Sequence, residues 1–230
     1  MEYSKVIAID GPSGSGKSTV ARELAQVLDV LYIDTGAMFR ALAFEADKRS
    51  VPFEWSGGLK EFIESIDLKY GTSSECLISI NGDNLTQKIR EHHVSKLASI
   101  ISQIPEIREF LLDFQRNLAK SSVCVMEGRD IGTVVFPNAF CKFFVTASVE
   151  VRSQRRLEQL RESGDTSVSL EQIMKDVEKR DMSDMNREVA PLKQASDAEL
   201  VDTGNMNIND VVSQLKEKAI LKAKSVGIEL

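Results

Sequence analysis

One eight-residue run constrains this chain more than any other: Gly11-Pro12-Ser13-Gly14-Ser15-Gly16-Lys17-Ser18. It matches G-x-x-x-x-G-K-[ST] and stands where that pattern has physical meaning. The β-branched run Val6, Ile7, Ala8 and Ile9 precedes it, and behind it Val20, Leu24, Val27 and Leu28 recur at helical spacing. A strand that ends in glycines and reopens as a helix lets successive backbone N–H groups converge on phosphate oxygens, with the helix dipole adding positive potential. In such a loop the lysine reaches the β and γ phosphates and the Ser18 hydroxyl is a ligand for Mg²⁺. The glycines run G-x-x-G-x-G, which disfavours a dinucleotide-binding turn.

A second strand, Leu31-Tyr32-Ile33, leads through a loop at Asp34-Thr35-Gly36 into a helix over 37–49. Two strand–loop–helix units in succession predict an α/β fold with a parallel sheet. The texture changes between 55 and 103. Leu59, Phe62, Ile63 and Ile66 predict a helix, residues 68–70 and 77–80 two short strands, Asn81-Gly82 a tight turn, and residues 89–101 one more helix. This stretch reads as an inserted lobe. A helix over 106–119 follows, then strands at 122–126 and 141–146. Charged helices over 149–161 and 170–188 are separated by the polar loop Ser163-Gly164-Asp165-Thr166. A strand at Leu200-Val201 and a helix over 208–223 close the chain.

At 230 residues the chain is long enough for one sizeable core, and 42% apolar with 28% charged side chains excludes disorder and coiled coil. Acids outnumber bases 35 to 29, which argues against a protein built to grip nucleic-acid phosphates. Cys76, Cys124 and Cys141 form no CxxC pair, so neither a disulfide framework nor a zinc ribbon is expected. The strand begins too early for a signal peptide, and no apolar run approaches the roughly 18 residues of a membrane helix. A cytoplasmic protein without membrane or nucleic-acid partners is expected, and with no exposed apolar stripe in the sequence it is expected to be a monomer.

A phosphate loop alone leaves open a GTPase switch, a motor or a small kinase. No N-K-x-D element is present, and the chain is too short for the sheet of a motor. Gly128-Arg129-Asp130 follows a predicted strand, so both side chains belong at the carboxyl edge of the sheet, where open α/β sheets bind ligands. Ile173, Val177, Arg180, Asp184 and Arg187 share one helical stripe that begins apolar and turns charged, as expected of a helix facing a polar cleft. Arg152, Arg155 and Arg156 precede the polar loop, where mobile arginines could neutralise a phosphoryl group in transit. His92 and His93 have no third ligand and read as structural or exposed. No Gly-x-Ser-x-Gly or Cys/His pair supports hydrolase chemistry.

Several blocks together resemble bacterial cytidylate kinases: Gly11 to Thr19, Asp34 to Arg40, Gly128 to Pro137 and Arg180 to Leu192, with Ile89-Arg90, Ala98-Ser99, Pro105 to Arg108 and Gln115-Arg116 between them. The resemblance implies a P-loop kinase fold: a core of 1–54, 104–150 and 189–230, an inserted lobe for the nucleoside monophosphate at 55–103, and a helical lid at 151–188. It implies transfer of the ATP γ-phosphoryl group to CMP or dCMP, with Mg²⁺. Gly11, Pro12, Ser13, Gly14, Ser15, Gly16, Lys17, Ser18 and Thr19 would hold ATP. Thr35, Arg40, Arg129 and Arg187 would hold the CMP phosphate, Ser99, Arg108 and Asp130 the cytosine, and Arg180 and Asp184 the sugar. Lys17, Arg129, Arg152, Arg155, Arg156 and Arg187 would serve the transfer, and Asp34 is a candidate partner of the metal's waters. A carboxylate at Asp130 can accept from the cytosine amino group and would oppose the carbonyl of uracil.

Three positions depart from the family's usual pattern: Glu127 where Asp is usual, Phe39 where Tyr is common, and Thr35 where some members have Ser. Two further readings stay open at this point: another small P-loop kinase, for uridylate or a small metabolite, and a nucleotide-binding regulator without an acceptor.

Overall fold

The computed structural model describes residues 3–73, 75–162, 164 and 168–230, with Thr72 and His92 described by their backbone alone. Ser163, Asp165 and Thr166 of the predicted loop lie outside the described residues, as does the side chain of His92. In chain order the elements are β1 (Ser4–Asp10), α1 (Lys17–Leu28), β2 (Leu31–Asp34), α2 (Thr35–Lys48), α3 (Gly57–Glu64), β3 (Leu68–Ser73), β4 (Cys76–Ile80) and β5 (Asp83–Asn84). A 3₁₀ turn (Lys88–Arg90), α4 (His92–Ile101), α5 (Pro105–Leu118), β6 (Cys124–Gly128) and a π turn (Ile131–Val135) follow. β7 (Ala139–Thr146), α6 (Val149–Glu162), α7 (Leu170–Asn186), β8 (Glu199–Asp202) and α8 (Ile208–Val226) complete the chain. The chain divides into two compact units, residues 1–33 with 118–230, and residues 34–117.

In the first unit β1 is buried over its last five residues, as the central strand of a parallel sheet must be. It pairs in parallel with β6 on one side and β7 on the other, and β8 adds to β7 in parallel. The strand order is β2-β6-β1-β7-β8. The crossover through α1 leads to one edge, whereas the chain passes from β6 to β7 across β1. That reversal opens a crevice at the carboxyl end of β1, where α/β sheets bind ligands. Ile7 and Ile9 of β1, Val125 of β6 and Phe143 and Val145 of β7 pack with Val20, Ala21 and Leu24 of α1 and Val211, Leu215 and Ala219 of α8. Leu157 and Leu160 of α6 lock onto Ile173 and Val177 of α7 in a cluster of their own, so the apolar start of the predicted stripe faces protein.

The second unit holds the antiparallel sheet β3-β4-β5. Asn81 (φ 51°) and Gly82 (φ 87°) are both left-handed, as a two-residue hairpin turn requires. Two local expectations change. Thr35 and Gly36 belong to α2 rather than a loop, because the Asp34 carboxylate caps the helix by accepting from the Ala37 N–H. The helix expected over 89–101 is interrupted at Glu91, whose extended backbone (φ −60°, ψ 141°) separates the 3₁₀ turn from α4.

Burial pushes the Cys124 and Cys141 thiols up to about 12, and Cys76 on β4 is half-buried. Among the described residues no helix is long and apolar enough to cross a membrane.

Candidate active site

The glycine loop leaves β1 at the crevice. A Cβ on Gly11 would lie 2.0 Å from the Val145 carbonyl oxygen, so no side chain fits there. Gly14 and Gly16 have φ of 75° and 83°, which turns the loop back on itself. Gly16 opens α1 with no side-chain cap, leaving the first helical N–H groups to an anion rather than to a side chain. Lys17 is buried and its Nζ donates to the Pro12 carbonyl at 3.4 Å, curling along the loop.

Two elements distant in sequence brace this loop. Arg152 of α6, 4% exposed, donates to the Ser13 and Ala147 carbonyls and pairs with Asp181 of α7. Arg155 donates to the Thr203 hydroxyl and carbonyl, and the Thr203 hydroxyl donates in turn to the Ser15 carbonyl at 2.9 Å. Arg156 is half-buried, and burial lowers its guanidinium below the ordinary arginine range. All three of these arginines lie on α6, two of them tied to the loop or its neighbour.

The Ser18 hydroxyl donates to Glu127 Oε2 at 2.7 Å, and the Tyr32 hydroxyl donates to Glu127 Oε1 at 2.5 Å. Glu127 is 2% exposed at the end of β6. A hydroxyl and a carboxylate side by side are hard oxygen donors, the kind Mg²⁺ takes from a protein when phosphates and water complete its shell. Oxygen donors without imidazole or thiolate suit Mg²⁺ and not a zinc cage.

Arg129 and Asp130 follow directly. Asp10 and Gly128 are register partners in β1 and β6, so the glycine loop and the Arg129–Asp130 turn leave neighbouring strands at the same edge. Arg129 Nε donates to Asp184 Oδ2 at 3.0 Å, and Arg187 Nη2 lies 3.3 Å from Asp130 Oδ1, its Nε on the Ala190 carbonyl. Burial raises the Asp184 carboxyl, but Arg129, Arg180 and Arg187 outweigh it and hold the group below its usual range. Arg187 stands just past the end of α7, so the charged stripe extends beyond the helix itself.

In the second unit the N-terminal end of α2 gathers its cap Asp34, Thr35 and Arg40. Thr35 is buried, and Asp34 Oδ2 pairs with Arg40 Nη2 at 2.9 Å while its other oxygen caps the helix. Both Asp34 oxygens are therefore engaged. Arg108 of α5 lies over the Phe39 ring, 5.4 Å from its centroid, and donates to the Ser102 carbonyl. Ser99 is half-buried on α4. Phe39 lacks a phenolic hydroxyl yet gives Arg108 a flat face to rest on.

Sequence reasoning gives no role to four residues of this arrangement. Glu127 is noted there only as a departure from the family's usual Asp, although an acid at a strand end is itself a signal. Asp10 immediately precedes the glycine loop, and Thr203 follows the last strand. Asp181 stands four residues after Val177 and three before Asp184 on the same buried face of α7, so the helical period itself could have found it.

The fold and the loop define a small P-loop nucleotide kinase. The family model described as cytidylate kinase matches residues 7–220. A cytidylate kinase of Halalkalibacterium halodurans is 44% identical over 210 residues, covering 91% of this chain and 94% of that protein. One of Clostridium tetani is 42% identical over 95% of this chain and 96% of its own length. A bifunctional pantoate ligase/cytidylate kinase of Prochlorococcus marinus is 41% identical over 94% of this chain, which spans 42% of that longer protein. A crystal structure of an uncharacterised protein of Eubacterium ventriosum, 14% identical, superposes with a TM-score of 0.50 over 94% of this chain and 98% of its own, and shares the fold. The chain belongs to the cytidylate kinase family.

Proposed function

We propose that the protein transfers the γ-phosphoryl group of ATP to the 5′-phosphate of CMP or dCMP, giving ADP and CDP or dCDP. One observation supports the reading beyond family membership: the register pairing of Asp10 with Gly128 sets the glycine loop beside the Arg129–Asp130 turn, whose charges are assigned here to the acceptor. The loop amides and Lys17 cradle the donor phosphates. Ser18 and Glu127 would hold Mg²⁺, which when bound would neutralise charge on the donor phosphates.

The acceptor phosphate is already an anion near neutral pH, so no general base is needed. Catalysis rests on alignment and on fixed positive charge around the transferred group. Arg129 and Arg187 in the first unit, and Thr35 and Arg40 in the second, are assigned to the acceptor phosphate. Asp130, Arg108 and Ser99 are assigned to the cytosine, and Arg180 and Asp184 to the sugar. Arg155 and Arg156 are assigned to the phosphoryl group in transit, with Arg152 keeping its charge at the loop through the Ser13 carbonyl. The protein is taken to act as a monomer in the cytoplasm.

The test is initial-rate ADP formation from Mg²⁺-ATP with CMP, dCMP, UMP, AMP, GMP or no acceptor. Strong stimulation by CMP and dCMP alone supports the reading. Stimulation by UMP or AMP keeps the kinase and removes the cytosine assignment, and no stimulation leaves a nucleotide binder without an acceptor.

A further inference from the structure

Asp10 takes no part in the reaction as assigned above, yet it is a 5% exposed carboxylate at the end of the central strand. An apolar residue would be cheaper to bury there. Both of its oxygens are used, Oδ1 accepting from the Ile131 N–H and Oδ2 from the Gly132 N–H, each at 2.8 Å. These two N–H groups open the π turn, whose first residues have no earlier turn to bond to.

The turn also closes on its own carbonyls and is held from beyond by β7. The Asp130 carbonyl accepts from the Val134 and Val135 N–H groups, and the Ile131 carbonyl from Phe136. Lys142 of β7, itself buried, donates to the Pro137 carbonyl at 2.7 Å just beyond the turn. Gly132 fits between these anchors: a Cβ there would lie 3.1 Å from Lys142 Cδ and 3.4 Å from Asp10 Oδ2. The Asp130 backbone (φ −144°, ψ 22°) departs from both helix and strand, so the direction of its side chain depends on the bonds that hold it.

We propose that Asp10 is a positioning residue for acceptor selection: by clamping the Ile131 and Gly132 amides it fixes the Arg129–Asp130 turn against the phosphate loop, without touching substrate. The proposal rests on the assignment of Arg129 and Asp130 to the acceptor. It explains why a carboxylate stands between the strand and the loop, since one residue then sets both the start of the donor loop and the angle of the acceptor turn.

The test is steady-state kinetics of Asp10→Asn beside wild type and Asp130→Asn, with CMP, UMP and ATP varied in turn. A carboxamide offers one acceptor where two are needed. The expected result is a folded enzyme whose KM for CMP rises by about tenfold or more and whose preference for CMP over UMP falls, with KM for ATP within about threefold of wild type. An unchanged KM for CMP, or equal rises for CMP and ATP, overturns the proposal. If Asp130→Asn also leaves the CMP/UMP ratio unchanged, the assignment of Asp130 fails and the proposal with it. If Asp130→Asn shifts the ratio and Asp10→Asn does not, only the proposal fails. Should Asp10→Asn not fold, Gly132→Ala, which presses on the same clamp, is expected to give the same selective rise. Failure of both variants to fold assigns Asp10 to stability alone and overturns the proposal.

Discussion

Arg187 reaches back from the end of α7 to place its guanidinium 3.3 Å from the Asp130 carboxylate, with both side chains at most 7% exposed. The residue assigned to the cytosine and one assigned to the phosphate thus hold each other. Removing one partner of so buried a pair strands the other charge, so Asp130→Ala is expected to cost about 3 kcal/mol of stability, read by urea denaturation. Asp130→Asn keeps an acceptor for Arg187 and can donate toward a carbonyl, and its kcat/KM ratio for CMP over UMP is expected to fall. A ratio equal to wild type removes Asp130 from base reading.

Lys17 lies in the loop with its ammonium on the Pro12 carbonyl. Lys17→Ala removes the charge aimed at the transferred group and is expected to lower kcat by about 10³-fold or more with an unchanged circular dichroism spectrum. Turnover near wild type would contradict that role.

Glu127 joins the Ser18 and Tyr32 hydroxyls. Glu127→Gln keeps the shape but loses the negative charge, so the Mg²⁺ concentration for half-maximal activity is expected to rise about tenfold while saturating CMP is unaffected. A Mg²⁺ titration superimposable on wild type would show that the carboxylate serves only to hold the two hydroxyls.

Phe39 supports Arg108 in the second unit. Phe39→Leu removes the aromatic face and is expected to raise KM for CMP several-fold at constant KM for ATP, whereas Phe39→Tyr, which keeps the ring, is expected to be close to wild type. Equal kinetics for all three proteins would show that Arg108 is held without the aromatic face.

Asp10 carries a pH signature. Burial, with a smaller push from Asp130, lifts its carboxyl from 3.8 to about 7 against the pull of the Gly132 and Ile131 amides and of Arg129. Between those two values the folded chain holds a proton that the unfolded chain has lost, so stability falls as pH rises through that window and the loss is complete above it. The effect is bounded at about 4 kcal/mol. Denaturation at pH 5 and pH 8 is expected to show wild type losing stability relative to Asp10→Asn as pH rises; a difference independent of pH contradicts the shift.

Local signals were enough wherever a few neighbouring residues decide the structure. The β1 strand, the glycine loop and α1 follow from a β-branched run, three glycines and a 3.6-residue period, and Asn81-Gly82 announces its turn in two residues. The π turn over Ile131–Val135 had no such signal, because its first amides are paired by Asp10, 121 and 122 residues away. The break at Glu91 was equally hidden behind a continuous helical pattern. In the site, Lys17, Ser18 and the Arg129–Asp130 turn were legible from motif and position. The bracing of the loop by Arg152 and Thr203 was not, since a hydrogen bond to a backbone carbonyl leaves no requirement on the sequence of its partner.

The placement of the three cysteines has a practical consequence. Two sit inside β6 and β7 with thiols too weakly acidic to form thiolate near neutral pH, while the third lies half-buried on β4 of the other unit. A maleimide dye added to the folded enzyme is therefore directed to Cys76, which makes the natural chain a singly labelled reporter for watching that unit through a catalytic cycle.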